Sequence, residues 1–479
     1  MKNTRNLKNN NDLALLEIFT TWSDDVLSGG RLDAKYWLPA IRELQKAIQN
    51  GKYKSQKLGD FITDIRYGLS TANDYVDFGI PFLRILNLKN DGIDVSDVVY
   101  LSEDQKDEIG KAVAHEGDLL ISRSGSVGIV VVVPKEAEDF VFGSFMIKFC
   151  LNEKINKQFI AAWLNSEASR KLIEREKIGA IQGNITIKTI KNFDIPIPPL
   201  SVQNEVVKKI QEAYEQKKKK ETEILKILSS IDDFVLGELG IDMPRGGAEK
   251  VFQIWSDEIE GRIDALFYKP YLRSLLEQIK NKKHFTLGQA IADMSSGATP
   301  KVTGDYYLDE GGVPFLRVQN ITEMGIKLDD VKFIKPEIHE IMLKRSRLKK
   351  DDLIFTIIGR PGTVSVVPDN FEGNISQNSV RFHLQNEVGK IKISPNYVAI
   401  FLNTKVGKDL SLRWTAGGAQ PALNADIVKR LVVPLPSIEK QEKIITGVNT
   451  IYEKAKHLRQ EAESIVAGAQ KEAEQMILA

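Results

Sequence analysis

The residues that could do covalent chemistry in this chain are few. Cysteine occurs once, as Cys150, and the five histidines (His115, His284, His339, His383 and His457) follow no ligand spacing. This excludes a disulfide framework and a cysteine-built metal site and argues against a metal enzyme. No Gly-x-x-x-x-Gly-Lys-Ser/Thr phosphate loop is present, so no ATP motor is expected. The tetrapeptide IPPL at 197–200 lacks the amide and the aromatic ring of the Asn- or Asp-Pro-Pro-aromatic motif of amino-methyltransferases. Pro368-Asp369 would suit the start of a nuclease-type carboxylate set, but no Glu-x-Lys follows within about twenty residues. SGSVG at 124–128 offers backbone N–H groups for a phosphate, or it is a tight turn between strands. Its counterpart GRPG, with Arg360-Pro361 in the middle, suits the turn better. The expectation is a non-catalytic chain with no cofactor and no metal of its own.

More can be read from phrases that occur twice. GIPFLRILNLKNDGI at 79–93 returns as GGVPFLRVQNITEMGI at 311–326, which places the two Pro-Phe-Leu-Arg runs 314 − 81 = 233 residues apart. RLDAKYW at 31–37 returns as RIDALFY at 262–268, and GDLLISRSGSVGIVVVVP, ending at Pro134, returns as DDLIFTIIGRPGTVSVVP, ending at Pro368. WLNS from Trp163 matches FLNT from Phe401; Gly179, Gln182, Pro196 and Pro198 match Gly417, Gln420, Pro434 and Pro436. The matches are collinear, so the chain is a tandem duplication with a period of roughly 235 residues, the size of a whole domain.

Each copy reads as strand-rich with a few helices. Short β-branched runs such as GIVVVV and VSVV are bounded by Gly and Pro, whereas residues 156–176 and 396–414 show helical spacing. Each copy closes on a proline-punctuated strand, then Ser201 or Ser437 as a helix N-cap, then a long apolar-periodic run. Val206, Ile210, Ala213, Ile224, Leu228, Ile231 and Val235 form one seam, interrupted by Lys217 to Lys220. Ile445, Val448, Tyr452, Ala455, Ala462, Ile465 and Ala469 form the other. Each seam could pack on its own domain. Two helices of roughly 35 residues, each with one seam at equivalent ends of two repeats, fit an antiparallel coiled coil better.

The fold class expected is therefore α+β: two duplicated strand-rich α/β domains separated by two long helices, with approximate internal two-fold symmetry. The expected divisions are an N-terminal segment and helix (1–50), a first recognition domain (51–199), a central spacer helix (200–240), a linker and start of the second repeat (241–281), a second recognition domain (282–436) and a C-terminal spacer helix (437–479). No apolar run reaches the roughly 18 residues of a membrane span, and the N-terminus has no signal-type apolar region, so a cytoplasmic location is expected. Double-stranded DNA has two-fold axes of its own, and a chain of this shape can place one domain on each half-site while the helices set the separation.

The paired PFLR phrases with their trailing Asn87 and Asn320, the GDLLISRSGSVG and DDLIFTIIGRPG pair, the WLNS and FLNT pair and the IPIPPLSVQNEVV and VVPLPSIEKQEKI helix entries resemble the specificity subunits of type I restriction-modification systems. The resemblance covers essentially the whole chain from about residue 31. It implies two target recognition domains, each reading half of a bipartite double-stranded DNA sequence. It also implies helices that space them and dock methyltransferase subunits, expected to be two by the symmetry, which bind S-adenosylmethionine and methylate adenine. An ATP-dependent restriction subunit can join such a complex. Two alternatives stay open: a duplicated protein-binding scaffold with no DNA role, and a specificity subunit of a methylation-only or other defence assembly.

Composition alone does not suggest a nucleic-acid binder, since 66 basic and 65 acidic residues leave a net charge of +1. Residues 282–436 carry 21 basic and 16 acidic residues, a balance of +5; residues 52–198 carry 19 and 21, a balance of −2. Phosphate contacts must then come from a few placed Lys and Arg, with partner subunits supplying more. Residues shared by both copies cannot carry a difference in sequence read, so Arg84 and Arg317 suit scaffold or phosphate roles. Candidates for base readout lie where the copies diverge inside otherwise matching loops: Arg66, Ser70, Thr71, Arg123, Ser124, Ser126, Gln182 and Asn184 in the first, and Thr299, Lys301, Arg360, Arg413 and Gln420 in the second, Gln420 being shared with Gln182 and so the weaker candidate. For each, the alternative is a solvated loop side chain. The Lys217 to Lys220 run suits a solvated or DNA-facing waist.

Overall fold

The computed structural model describes residues 34–70, 75–177, 183–244, 251–259, 261–301, 303–415 and 422–478. The chain divides into two compact units, residues 1–220 with 460–479, and residues 221–459.

In the first unit an antiparallel sheet runs in the order Ile62–Tyr67, Met146–Leu151, Leu119–Ser122, Val130–Val132. A second sheet runs Val99–Leu101, Ile80–Leu83, Phe140–Phe142, Val113–Ala114, with its central pair parallel. A short pair, Ser55–Lys57 with Asp194–Pro196, brings the two ends of the domain together. The second unit repeats this plan. Its antiparallel sheet is Ile291–Ser296, Ser379–Leu384, Leu353–Thr356, Val364–Val366, and its closing pair is His284–Thr286 with Val432–Pro434. Helices Lys157–Leu164 and Pro395–Asn403 cover equivalent sheet faces and bury Phe159 and Trp163, or Tyr397 and Phe401, each at most 1% exposed.

The duplicated phrases mark places where buried backbone groups need a polar partner. Asn87 and Asn320 are both 1% exposed. Asn87 Oδ1 accepts the Arg84 N–H (2.8 Å), and its Nδ2 donates to the carbonyls of Asp94 and Asp97. Asn320 does the same with Arg317, Lys327 and Asp329. One side-chain amide thus closes a whole loop, which explains why PFLR is followed by Asn in both copies. The Asn of WLNS and FLNT pairs with an edge strand: Asn165 exchanges two hydrogen bonds with the Val130 backbone, and Asn403 two with that of Val364. The next residue, Ser166 or Thr404, caps the following helix.

Each antiparallel sheet also carries a buried charge cluster. Asp118 is 2.8 Å from Lys148 and accepts the Cys150 thiol proton. Burial, with the hydrogen bond to Asp118 and its charge adding to it, pushes the Cys150 thiol up to about 12, so it stays protonated at neutral pH. In the second unit Asp352, fully buried, faces Arg381 and His383 from equivalent positions.

Leu200–Leu239 and Ile438–Leu478 are single helices of 40 and 41 residues, longer than the spacing of their seams indicates. The first starts at Leu200, so Ser201 lies inside the helix and is not its N-cap; Pro199 takes that place. Ser437 does precede the second helix. In the first unit Val206, Val207, Ala473 and Ile477 share one core, and Lys209–Glu472 and Lys220–Glu461 pair across the helices. In the second, Ile224, Ala455 and Leu458 pack together, and Glu223–Lys454 and Glu238–Lys443 pair. Partner numbers fall on one helix as they rise on the other, so the helices are antiparallel. The lysine run does not break the helix, because Lys217 and Lys220 are half-buried and set against Asp91 and Glu461. Each helix is locked to its domain by a buried glutamine: Gln203 accepts from Asn156 and donates to Pro198, and Gln441 accepts from Ser394 and donates to Lys392 and Pro436.

Candidate nucleic-acid interface

Four segments of the first unit meet at one end of its antiparallel sheet. The loop after Tyr67 exchanges backbone hydrogen bonds with Phe142 and Ser144. The Arg123 N–H donates to the Phe145 carbonyl (2.9 Å), and Ile185 N–H donates to the Arg123 carbonyl (3.1 Å). Ser124 bridges to Asn184. The second unit reproduces this frame: Ile357 donates to Asn378 (2.8 Å), Leu423 to Ile357 (2.9 Å), and Ile358 bridges to Ala422. At the head of the first loop stand Gly68 and Gly297. A Cβ on either would lie 2.2 Å from a carbonyl oxygen, of Gly143 or Ser376, so only glycine fits.

On this shared frame the side chains differ. Tyr67 and Arg123 in the first unit stand where the second has Ser296 and Ile357. Phe145, 52% exposed, stands where it has Asn378. The Arg123 guanidinium lies 4.7 Å over the Tyr67 ring. This gives the first unit a cationic and aromatic surface, whereas the second presents Ser296, Thr299, Lys301, Arg360 and Asn378. Phe145 and Asn378 were not among the sequence candidates, because both sit just before a buried strand and read as core; their matched register within the duplication is the signal that finds them.

Most candidates read from the sequence gather here. Ser70 and Ser126 are exposed and Asn184 is half-buried. Arg66 lies lower on the same strand as Tyr67, pairs with Asp64 and donates to the Lys111 carbonyl. Ser124 is only 3% exposed, so its backbone supports the frame. Thr299 accepts from the Gln377 N–H, and Lys301 and Arg360 are exposed. Arg413 lies apart from them. It is 5% exposed with its guanidinium 4.0 Å over the Phe267 ring, so it is committed to packing. Arg84 and Arg317 both donate to the backbone and carboxylate of an aspartate, Asp97 or Asp330, and so tie down their loops. Thr71, Gln182 and Gln420 lie outside the described residues.

SGSVG is an internally bonded turn. Ser122 Oγ accepts from Ile129 N–H and donates to the Ser126 carbonyl, and Gly128 donates to the Ser122 carbonyl. Thr356 plays the same part beneath GRPG. Gly128 and Gly362 take φ of 91° and 95°, which favours glycine. The fold also gathers two histidine and carboxylate groups that sequence spacing does not reveal: His115 with Glu138 and Asp139, and His339 with Glu340 and Glu372. In the second group Arg347 already pairs with both carboxylates, 2.7 Å from Glu340 and 3.5 Å from Glu372.

The repeat that builds this frame twice matches a known family. The family model of the type I restriction modification DNA specificity domain matches residues 50–233 and again 279–465. The chain belongs to this family. It is the DNA-specificity component, the non-catalytic part, of a type I restriction-modification system. Over 464 residues it is 22% identical to the EcoKI specificity subunit of Escherichia coli K12, covering 92% of this chain and 87% of that one. It is 27% identical to the EcoBI specificity subunit of Escherichia coli over 156 residues, 33% of this chain and 32% of that one. Among solved structures it is similar to the type I S subunit of M. genitalium, with 16% identity, a TM-score of 0.40, and coverage of 89% of this chain and 96% of that one. No helix among the described residues of this specificity subunit is long and apolar enough to cross a membrane.

Proposed function

We propose that each repeat of this specificity subunit reads one half of an asymmetric, bipartite double-stranded DNA target through the four-segment surface just described. The divisions at 51–199 and 282–436 are then its two target recognition domains, with 200–240 and 437–479 as spacers. The chain works in the cytoplasm and carries two methyltransferase subunits, which bind S-adenosylmethionine and methylate adenine, and it can recruit ATP-dependent restriction subunits. The observation that carries the reading is that one backbone frame displays Tyr67, Arg123, Phe145 and Asn184 in one repeat and Ser296, Ile357, Asn378 and Ala422 in the other. Two halves of one DNA sequence require this combination of constant support and variable contact. Arg can donate two hydrogen bonds to guanine, and an exposed aromatic ring can meet a thymine methyl group.

Exchanging Arg123→Ile and Phe145→Asn, which installs the second repeat's residues in the first, tests this. Each base pair that is no longer read correctly costs about 1–3 kcal/mol of binding. Binding to the native target by the complex with its methyltransferase subunits is therefore expected to fall from roughly 5-fold, for one base pair at the low end, to about 10,000-fold, for two at the high end, with discrimination abolished at one or two base pairs of one half-site. Equal weakening on every sequence, with a shallower salt dependence, would instead mark these residues as phosphate contacts. Unchanged binding would remove this surface from the DNA interface.

A further inference from the structure

The second repeat carries one residue more than the first in the stretch before its buried aspartate. Leu101 and Ile334 stand in matching register, opposite Ile80 and Val313, at an offset of 233 residues, whereas Asp118 and Asp352 are 234 apart. The extra residue is taken up in a π-helical turn, Ile338–Met342, in which the Leu343 N–H donates to the Ile338 carbonyl (2.8 Å). The first repeat has an ordinary helical turn there, Lys106–Ile109. Such bulges are frequent at functional sites. The turn exposes Ile341 (79%) and Met342 (51%) and runs into Lys344 and Arg345, both exposed, which make no ion pair among the described residues.

Charge sets this stretch apart from its counterpart. Residues 335–350 hold 6 basic and 2 acidic residues, a balance of +4; residues 102–116 hold 2 and 5, a balance of −3. The difference, 4 − (−3) = 7, equals the whole difference between the two recognition domains, +5 against −2. Of these cations, Lys335, Arg347 and Lys350 are spent on Asp305, Glu340 and Asp369. The turn is also bolted to the reading surface. Asn374 Nδ2 donates to the Leu343 carbonyl (2.9 Å) and to Ser346 Oγ (3.2 Å), and the Arg381 guanidinium donates to the Arg345 carbonyl (3.2 Å). These two anchors lie four residues before and three residues after Asn378 of that surface. Exposed apolar residues by themselves would fit a protein partner. Two exposed cations held beside a surface that faces DNA fit the phosphate backbone instead.

We propose that this turn is a phosphate clamp present in the second recognition domain alone. Lys344 and Arg345 hold two DNA phosphates adjoining the half-site that this domain reads, and they add affinity without reading a base. This rests on the proposed function, which supplies the DNA, and adds where its backbone is held.

Binding of the full-length chain with its methyltransferase subunits to a duplex carrying the native target is measured against salt concentration. Each phosphate neutralised contributes a log–log slope of about −0.9. Lys344→Ala with Arg345→Ala is therefore expected to make the slope shallower by about 1.8 and to weaken binding about 30-fold at about 0.15 M salt, with the difference vanishing towards about 1 M and base preference unchanged in both half-sites. Lys344→Gln with Arg345→Gln, which keeps long polar side chains, should reproduce the change. Lys390→Ala with Lys392→Ala removes two exposed lysines from the hairpin that follows the other end of the strand Ser379–Leu384, and is expected to leave the slope as it is. Thermal unfolding of all three variants should match that of the unaltered chain. An unchanged slope for the Lys344 and Arg345 variants, an equal change for the Lys390 and Lys392 variant, or a loss of methyltransferase subunits at an unchanged slope would overturn the clamp and leave the function standing. An unaltered complex with no preference for any DNA sequence would overturn both.

Discussion

Asp352→Ala is expected to destabilise the second recognition domain by about 3–5 kcal/mol, a large part of the 5–15 kcal/mol typical of a folded domain. The carboxylate is fully buried. It accepts from the Lys349 N–H (3.0 Å), faces His383 Nδ1 at 2.9 Å and lies 3.5 Å from Arg381. Removing it leaves the guanidinium, whose side chain is 7% exposed, with Asp293 and the Arg345 carbonyl, and frees the Lys349 turn amide. Thermal or urea unfolding of the full chain measures the loss, and a change below about 1 kcal/mol would contradict the assignment of Asp352 as the hub of the cluster. Its counterpart Asp118 gives the pH dependence. Burial alone would raise its pKa, but the hydrogen bonds from Cys150, Lys148 and the His115 backbone outweigh burial and hold the carboxyl below its ordinary value. A depressed folded pKa means stability present above the unfolded value of about 3.9 and lost as pH falls through the folded one.

Lengthening the spacer helices is expected to lengthen the unread gap in the DNA target. Four residues added near Lys217 to Lys220, with four added beside their pairing partner Glu461, extend each helix by about 6 Å and a little more than one turn. The seams stay near their original faces, and matched insertion preserves the pairing on both sides. B-DNA advances about 3.4 Å per base pair, so the preferred gap should grow by one to two base pairs with both half-sites unchanged. Methylation across targets that differ only in gap length reads this directly. An unchanged preference in a folded variant would show that the helices do not set the spacing.

Much of this was legible in the residues, for physical reasons. The two-domain plan could be read because the duplication repeats the polar residues that satisfy buried backbone, Asn87 and Asn320 or Asn165 and Asn403, and those tolerate little change. The helix seams could be read from their period, but not the full extent of the helices: charged and alanine-rich ends such as residues 466–478 have weak apolar patterning although Ala473 and Ile477 are buried. The reading surface was found only in part. Arg123 and Asn184 stand out as polar residues in divergent loops, whereas Phe145 looks like core until the register of Met146–Leu151 turns it outward. Arg413 misled for the opposite reason, a charged residue whose guanidinium is spent on the Phe267 ring. Among the described residues, the histidine and carboxylate groups draw on residues far apart in sequence, His115 with Glu138 and His339 with Glu372, and leave no ligand spacing to see.

The claim at the centre of this account is that each repeat reads its own half of the target. Its most direct test exchanges residues 58–195, and nothing else, for the corresponding segment of another type I specificity subunit, then maps adenine methylation across the genome of cells carrying the chimera and its methyltransferase subunit. The account predicts a new bipartite motif in which one half is replaced and the other half is retained. A motif in which both halves change together, or neither changes, would contradict it.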